Sequence, residues 1–576
     1  MKRQFLFSCY LSSFLLLGAV SGSGVPVYSE NFWGEEVRIF TDRQVYVAGE
    51  TVHFRLFHFF EGRLLREPEF IYLVLKNQPD DNVLELTYRF TGGDSFGSFY
   101  LPDTLGTGAY QLFAYSDAMH RKPGLRLQPV DLFVINRFDE NLEGVPFTDS
   151  LPGEIEKQPT PGITEDPGNI ALLTNKEKYS RREVVSIEIQ NPGEWLDVSV
   201  TVARQEAFLP AFPSPNRFPL PAEAAGLQWP PYREQEEYLL SGKLLNGEGD
   251  EGIGGLRVLL SKPDTILNLL YAETDEKGRF VFSLPDYYFG STLYMHLLGN
   301  NFSDLYSIML DNKWEVKGAE PFYPTAFDSA MKEFFGMVQT TAGVTKAYQV
   351  AFGAENSAIS GEQTTMPPRV YSKPTHTYLL DEYEPLDDLQ EIARELIPYL
   401  RIRRQAQGFS ARIMDQNQSY SFFTIQPMIF LDAVPIENID TLMDLNSSQL
   451  SRIEVVSYPW RYGQLEFAGI LALFSRQRES LLPERSKPSK VFHFPEVLAA
   501  SRLVIPDYAL DKDRLKRVPD FRHTLYWEPR LVVEKGENRQ ITFFTGDLPG
   551  NYTIYVRGVT RDGKKIGQKM TIQVKF

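Results

Sequence analysis

The stretch Asp42-Arg43-Gln44-Val45-Tyr46-Val47-Ala48-Gly49-Glu50-Thr51-Val52-His53-Phe54-Arg55 decides the fold class of this 576-residue chain. Apolar residues fill Val45–Val47, they alternate with polar ones from Thr51, and Ala48-Gly49-Glu50 between them has the composition of a tight turn. The period of two returns at residues 98–102 and 106–115, with no long helical period in between. The sequence therefore predicts a β-sandwich over residues 34–137.

The composition extends this prediction to most of the chain. It contains 41 Phe, 29 Tyr, 41 Gly and 38 Pro, which suits many short strands joined by turns. At about 150 residues per domain, the length corresponds to roughly four domains. The formal net charge of −16 argues against a basic face that neutralises phosphates, so we expect no nucleic acid among the partners.

The N-terminus has the pattern of an export signal. Lys2 and Arg3 precede an apolar run over residues 5–19, and small residues follow at 20–24. We predict a signal peptide at 1–24, whose removal takes away Cys9, the only cysteine, and with it any disulfide, thiolate metal site or cysteine nucleophile. A lipid-modified Cys9 is the alternative, but the main apolar run follows Cys9 instead of preceding it. No other stretch has the 18 or so apolar residues of a membrane helix, so we predict no transmembrane segment in the mature chain.

The stretch at 42–55 resembles the opening of an α2-macroglobulin-type sandwich domain, where the usual motif is Tyr-x-Pro-Gly-Glu-x-Val and Ala48 here replaces the proline. A linker rich in Pro, Gly and acidic residues follows at 138–168. Residues 169–235, with a Pro-rich tail, and residues 515–576 resemble two further domains of this type. Ser360-Gly361-Glu362-Gln363 is similar to the family's Cys-Gly-Glu-Gln thioester motif, but serine cannot form the thioester, so a covalent protease trap is excluded.

Residues 236–315 resemble a carboxypeptidase-regulatory-type β-sandwich. Two apolar strands at 239–244 and 255–260 flank an acidic, glycine-rich loop. The Thr-Asp-x-x-Gly-x-Phe turn that marks this type of domain is present in full at residues 274–280. The resemblance implies an accessory module of the kind found on envelope proteins.

Residues 325–480 combine a predicted helix with a third resemblance. Leu386, Leu389, Ile392, Ala393, Leu396 and Leu400 recur at helical spacing. The turn at 431–435, the strand at 452–456 and the segments 462–463 and 468–471 resemble, in that order, the plug domain of TonB-dependent receptors. A barrel would need on the order of several hundred more residues, and only about 100 follow Arg476, so we expect a plug-like domain without a barrel of its own.

These resemblances together imply a mainly β fold, with tandem Ig-like or macroglobulin-type β-sandwiches and a small α+β plug-like domain. The combination resembles large envelope proteins of the Bacteroidota. We expect the chain to be exported, and to be periplasmic or associated with the outer membrane, with the cell surface as an alternative.

Few residues carry a pattern that indicates chemistry. His53 and His58 are five residues apart on one predicted strand and therefore point to opposite faces, so they cannot share a metal. No Gly-x-Ser-x-Gly elbow appears, and the acidic turns at 80–82 and 248–251 have the pattern of surface charge rather than of a full calcium loop. Arg401, Arg403 and Arg404 fit the C-terminal end of the predicted helix, with a docking patch for an acidic partner as the alternative. We predict no catalytic, cofactor-binding or metal-binding residue and no cofactor.

Three functional hypotheses remain open from the sequence. The first is a non-enzymatic envelope scaffold or binding protein that associates with an outer-membrane protein or a transport or assembly complex, with sandwich edges available for β-augmentation. The second is an accessory to TonB-dependent nutrient uptake, and the third is a hydrolase with an unrecognised site. The predicted interaction surface lies in the plug-like segment and comprises Leu431, Asp432, Val434, Pro435, Ile436, Arg452, Glu454 and Val456.

Overall fold

The computed structural model describes residues 35–576, apart from 61–62, 66–68, 78–79, 91–94, 122–126, 140–169, 192, 209–233, 235–236, 248–250, 300–305, 317–326, 328, 349–368, 407, 418–419, 478–480, 483–488, 511–514, 516 and 562–563. The fold is mainly β, as the sequence predicts. The predicted signal peptide, almost all of the linker, the Pro-rich stretch, the thioester-like segment and most of the acidic loop at 248–251 lie outside the described residues.

The first sandwich contains strands β1 to β9 and the short helix α1. These are β1 (Glu35–Thr41), β2 (Val45–Val47), β3 (Thr51–Phe60), β4 (Arg63–Leu64), β5 (Glu69–Lys76), β6 (Asn82–Phe90), β7 (Phe96–Tyr100), β8 (Gly108–Tyr115), α1 (Asp117–His120) and β9 (Val130–Ile135). One sheet has the order β1-β3-β4, and β7 also pairs with β3, along the part of that strand that β4 does not reach. The other sheet has the order β2-β9-β8-β5-β6. The two strands of the stretch at 42–55 therefore lie in opposite sheets.

The turn between β2 and β3 needs its glycine. Gly49 has φ +89°, and a Cβ there would lie 2.2 Å from a carboxylate oxygen of Asp103. The Glu50 carboxylate accepts a hydrogen bond from the Val47 backbone N–H at 2.8 Å and pairs with Arg43, also at 2.8 Å. This side chain fixes the turn without the proline that the family motif carries.

The next four strands do not complete a sandwich with one another. They are β10 (Ala171–Thr174), β11 (Lys178–Tyr179), β12 (Val184–Gln190) and β13 (Leu196–Arg204). All nine residues of β13 are buried, which is the pattern of a central strand with partners on both sides. Those partners come from the end of the chain and are described below.

The third group of strands forms a sandwich in the region that resembles the regulatory-type domain. It contains β14 (Tyr238–Asn246), β15 (Arg257–Ser261), β16 (Leu270–Glu273), β17 (Arg279–Leu284), β18 (Thr292–Leu297) and β19 (Tyr306–Leu310), arranged as sheets β17-β14-β19 and β16-β15-β18. In the turn at 274–280 the Asp275 carboxylate accepts the backbone N–H groups of Lys277 and Arg279, both at 2.9 Å. Gly278 has φ +75°, which explains the glycine of the motif.

Helix α2 (Ser329–Tyr348) was not predicted from the sequence, and it packs on the first sandwich. Its buried residues Phe334, Phe335 and Val338 share a core with β2 and β9, and Phe335 stacks on Phe133 with ring centroids 5.3 Å apart. The beginning of the range 325–480, which the sequence assigned to the plug-like domain, therefore belongs to the first sandwich.

A separate α+β unit follows. It contains β20 (His376–Leu379), α3 (Leu389–Leu396), β21 (Leu400–Gln405), β22 (Gly408–Ile413), β23 (Met428–Leu431), β24 (Val434–Ile436), β25 (Leu450–Val456), β26 (Trp460–Tyr462), β27 (Leu465–Phe467) and β28 (Ile470–Ser475). Five of these strands make a mixed sheet in the order β20-β25-β28-β23-β24, in which β23 and β28 are parallel.

Helix α3 is shorter than the predicted helix over 386–400. The Asp388 carboxylate caps its N-terminus by accepting the Glu391 N–H at 2.7 Å, so Leu386 lies before the helix. Pro398 disfavours helical geometry at the residue before it, and the helix ends at Leu396. Leu400 and the arginines after it form β21, so their assignment to a helix C-terminus is wrong.

The rest of the chain returns to the earlier sandwiches. Strand β29 (Ser489–His493) extends the sheet of β18, and β30 (Val497–Leu498) pairs with β6. The last strands are β31 (Thr524–Val533), β32 (Asn538–Phe544), β33 (Gly550–Thr560) and β34 (Lys565–Val574). They complete two sheets with the earlier strands, β10-β12-β32 and β11-β34-β33-β13-β31.

The sequence predicted two sandwiches here, at 169–235 and 515–576, whereas the structure shows one. Strand β13 lies between β31 and β33, and β12 pairs with β32 along its whole length. Apolar residues from both segments, such as Val198, Val200, Ile554 and Val556, share a single core. We call this unit the composite sandwich.

Candidate functional site

The predicted interaction surface lies around a tight turn between β23 and β24. Asp432 and Ala433 both have positive φ, at 49° and 65°, as a two-residue hairpin turn with matching twist requires. The Asp432 carboxylate accepts hydrogen bonds from the Ser475 backbone N–H at 2.7 Å and from the Ser475 hydroxyl at 2.6 Å. The aspartate of this turn therefore ties the hairpin to β28.

Six of the eight predicted surface residues are buried. They are Leu431, Asp432, Val434, Pro435, Ile436 and Val456. Leu431, Val434 and Val456 have no exposed surface at all. Most of this segment is interior sheet, so in this structure it cannot present those side chains to a partner.

The other two predicted residues, Arg452 and Glu454, are half-buried and hold two units together. Their side chains pair at 2.9 Å, and Arg452 also donates to the backbone carbonyl of Thr265 in the third sandwich at 2.6 Å. The Glu454 carboxylate accepts the Tyr371 hydroxyl at 2.5 Å, and burial together with this carboxylate raises the pKa of Tyr371. These residues join the α+β unit to the third sandwich.

Both faces of the five-stranded sheet are covered. On one face, Ile429, Leu431 and Leu473 pack with α3 and the β21–β22 hairpin. On the other, residues such as Phe430 and Ala472 share a core with Leu259, Leu267 and Leu269 of the third sandwich. A partner can therefore reach the α+β unit only at the edges of this sheet, at its loops, or on the outer side of the β21–β22 hairpin.

A buried charge cluster lies between the first and third sandwiches, and the sequence analysis missed it. The Lys313 ammonium pairs with the Glu234 carboxylate and lies 2.9 Å from the Tyr72 hydroxyl and 3.7 Å from Asp117. Burial opposes the charge of Lys313, but Tyr238, Glu234 and Asp117 more than offset it and hold its pKa above the ordinary value. Because these residues are distant in sequence and lie in unrelated patterns, no local sequence pattern could have predicted that they form one cluster.

A second buried cluster surrounds His58 inside the first sandwich. Its imidazole contacts the carboxylate of Glu35 at 2.6 Å and also that of Glu69. Burial disfavours the imidazolium, but the hydrogen bonds to Glu35 and Glu69 prevail and raise the pKa of His58 to about 9. A histidine that stays protonated at neutral pH is a structural cation rather than a general base.

A third cluster joins the first sandwich to the composite sandwich. The Thr524 hydroxyl donates to the Asp42 carboxylate at 2.6 Å, and the Thr201 hydroxyl donates to the Asp42 backbone carbonyl at 2.8 Å. Arg55 and Asp197 form a fully buried ion pair at 3.3 Å. The motif at 42–55 thus supplies contacts between units as well as the fold of its own unit.

The described part of the chain contains no group of three or more His, Cys, Asp or Glu placed to hold a metal ion. None of the described helices is both long and apolar enough to cross a membrane. The three titratable clusters described above lie at contacts between strands or between units.

Comparison with known proteins finds no matching protein-family profile and no match among curated proteins. Among solved structures, the chain is similar to Escherichia coli alpha-2-macroglobulin activated by porcine elastase, at 10% identity over 94% of this chain and 44% of that one, with a TM-score of 0.23. It is also similar to Salmonella alpha-2-macroglobulin reacted with methylamine, at 10% identity over 94% and 39%, with a TM-score of 0.23. A third is the Yersinia pseudotuberculosis adhesin InvE, at 12% identity over 48% and 58%, with a TM-score of 0.13. The chain spans less than half the length of these two macroglobulins.

Proposed function

We propose that this chain is a non-enzymatic scaffold or binding protein of the cell envelope, which associates with an outer-membrane protein or complex through its plug-like unit and its sandwiches. The observation that carries the proposal is the position of the buried charged residues, which lie at contacts between units or between strands. The three clusters around Lys313, His58 and Asp42 hold units or strands together, as in a stiff scaffold. The predicted signal peptide and the plug resemblance supply the envelope part of the proposal.

The proposed contact region is the accessible rim of the α+β unit. Strand β20 is at the edge of its sheet, and the side chain of Leu379 on it is 45% exposed. An edge strand with exposed apolar side chains suits β-augmentation by a partner strand. The covered faces of the same sheet argue against a partner that packs on the sheet itself.

The second candidate is an accessory role in TonB-dependent nutrient uptake. It is favoured by the turn at Asp432 and Ala433. Both residues have positive φ, which suits the glycine that the plug family usually has where this chain has Ala433. In that case the partner is a nutrient transporter, and loss of this chain lowers uptake of that transporter's substrate. A hydrolase is the third candidate, and the sequence contains no motif that favours it.

The experiment is a gentle-detergent purification of the tagged full-length chain from its own envelope, with the bound proteins identified by mass spectrometry. The control adds the same tagged chain to envelopes only after they have been solubilised, which reports association that occurs after lysis. We expect a stoichiometric outer-membrane protein in the first sample and much less of it in the second. Recovery of the chain alone would contradict both the scaffold and the uptake hypotheses.

A further inference from the structure

The outer side of the β21–β22 hairpin has an unusual concentration of arginine. Arg401 lies directly opposite Arg412 in the register, and Arg403 lies two residues along the same strand. The alternate residues Leu400, Ile402, Ala411 and Ile413 are buried in the core of the α+β unit. The strand period therefore places Arg401, Arg403 and Arg412 on the opposite, outward side, which we call the arginine face.

The arginine face is not neutralised within the described residues. No carboxylate there pairs with Arg401, Arg403 or Arg412, nor with the exposed neighbour Arg404, and the Arg401 guanidinium instead lies 3.9 Å from the centroid of the Phe422 ring. On the β26–β27 hairpin, by contrast, the exposed Arg461 pairs with Glu466 at 3.3 Å.

This arrangement works against folding. Like charges directly opposite each other on neighbouring strands are destabilising, and Arg401 and Arg412 are such a pair. The chain as a whole has a net charge of −16, so it contains many acidic residues that could have paired with these arginines. A cationic face with no carboxylate partner among the described residues is what an external anion would require.

The hairpin is also held in place. The Asp440 carboxylate accepts the Phe409 N–H at 2.5 Å next to the hairpin turn, where Gly408 has φ +115° and a Cβ would lie 2.0 Å from a carboxylate oxygen of Asp440. The inward residues of both strands pack in the same core as α3. The arginine side chains therefore project from a fixed backbone, which lowers the entropy lost when they bind.

We propose that the arginine face docks a carboxylate-rich surface of a protein partner. This inference rests on the proposed function and names the chemistry of the partner at one site. A protein is favoured over a lipid surface because the cations of this patch, the exposed Arg401, Arg403 and Arg404 and the half-buried Arg412, are all arginines, and because aromatic residues adjoin them. Phe422 contacts Arg401, and Tyr420 on the same loop is 74% exposed. Arginine and tyrosine are enriched in protein interfaces, and a lipid surface has no such preference for arginine over lysine.

The test measures binding of fluorescent poly-L-glutamate to the full mature chain at low ionic strength. The patch variant is R401Q/R403Q/R412Q. The matched control is R394Q/R461Q/R539Q, which removes the same number of charges from exposed arginines that each pair with a glutamate. Vesicles that contain anionic lipid are measured in parallel with all three proteins.

We expect wild type and control to bind poly-L-glutamate equally and the patch variant to bind about tenfold more weakly, since three exposed ion pairs of modest strength are lost. The wild-type affinity should also fall as salt is added. Equal binding by all three proteins, absence of binding by wild type, or patch-dependent binding to vesicles alone would each overturn the proposal. Because no envelope partner takes part, this result is separate from the outcome of the purification.

Discussion

The charge state of His58 predicts how stability changes on the alkaline side of neutrality. Folding raises the pKa of this imidazole from 6.5 to about 9. The protonated form is favoured in the folded state, so its contribution is fully present below pH 6.5 and is lost as the pH rises towards 9. Since one pKa unit corresponds to about 1.4 kcal/mol, the contribution is about 3 kcal/mol.

The assay is urea denaturation of the full chain at a series of pH values from about 6 to about 9.5, followed by tyrosine and tryptophan fluorescence. We expect the free energy of unfolding of the unit that contains His58 to fall by about 3 kcal/mol over this range. H58Q should be less stable at neutral pH and should lose most of this dependence.

The matched control is H523Q, which changes another buried histidine. Burial lowers the pKa of His523 well below 6.5, so this group affects stability only below pH 6.5, where the unfolded chain takes up the proton. H523Q should therefore keep the alkaline loss of wild type. A wild-type stability that stays level up to pH 9, or an alkaline loss that is the same in H58Q, would refute the reasoning.

Three further predictions concern contacts between segments that are distant in sequence. K313M should lower the free energy of unfolding by about 3 kcal/mol, because the Glu234 carboxylate is left buried without its cation, and K313M/E234Q should recover part of this loss in the same urea titration. F335A should cost about 3 kcal/mol and should speed amide hydrogen exchange throughout α2 while the strands of the α+β unit keep their protection. Truncation after residue 510 should unfold residues 170–204, detected as proteolytic cleavage there, whereas an independent sandwich at 169–235 would resist cleavage.

Local patterns predicted the local structure well. The stretch at 42–55 forms β2, a turn at Gly49 and β3, and alternation together with turn glycines is enough to predict such elements. Asp275 and Gly278 in the turn at 274–280 have direct geometric causes in the structure, since the carboxylate accepts two backbone N–H groups and the glycine has φ +75°. What these patterns could not show is which sheet each strand joins, since β2 and β3 look like a hairpin but lie in opposite sheets.

Helix α2 shows why one element escaped prediction. Its sequence contains Gly336 and Gly343 and the β-branched Thr340, Thr341 and Thr345, all of which lower helix propensity. Threonine hydroxyls in this helix donate back to carbonyls one turn earlier, as Thr341 does to Met337 at 2.9 Å. The helix is stabilised by packing of its aromatic residues on the first sandwich, which is tertiary information.

The candidate surface was misplaced for a related reason. The segments 431–436 and 452–456 stand out in sequence because they are apolar and match a known pattern, and those properties also describe strands with both faces buried. The sequence also singles out the arginines at 401–404, but their interpretation as a helix terminus or as a docking patch depends on whether they end a helix or form a strand. Pro398 is the residue that decides between the two, because it disfavours helical geometry at Ile397 and so ends the helix before the arginines.

The path of the chain has a consequence for how the arginine face is presented. The α+β unit is inserted between β19 and β29, and both flanking segments contact the third sandwich, through a bridge between Asn268 and Arg369 on one side and the pairing of β29 with β18 on the other. The third sandwich shares a continuous core with the first, where Phe70 packs against Tyr238 with ring centroids 5.7 Å apart. A unit attached at both ends and across one face of its sheet has little freedom to rotate. A partner bound at the arginine face would therefore be held at a fixed position relative to the sandwiches, which is what a scaffold needs and what a flexibly tethered plug could not provide.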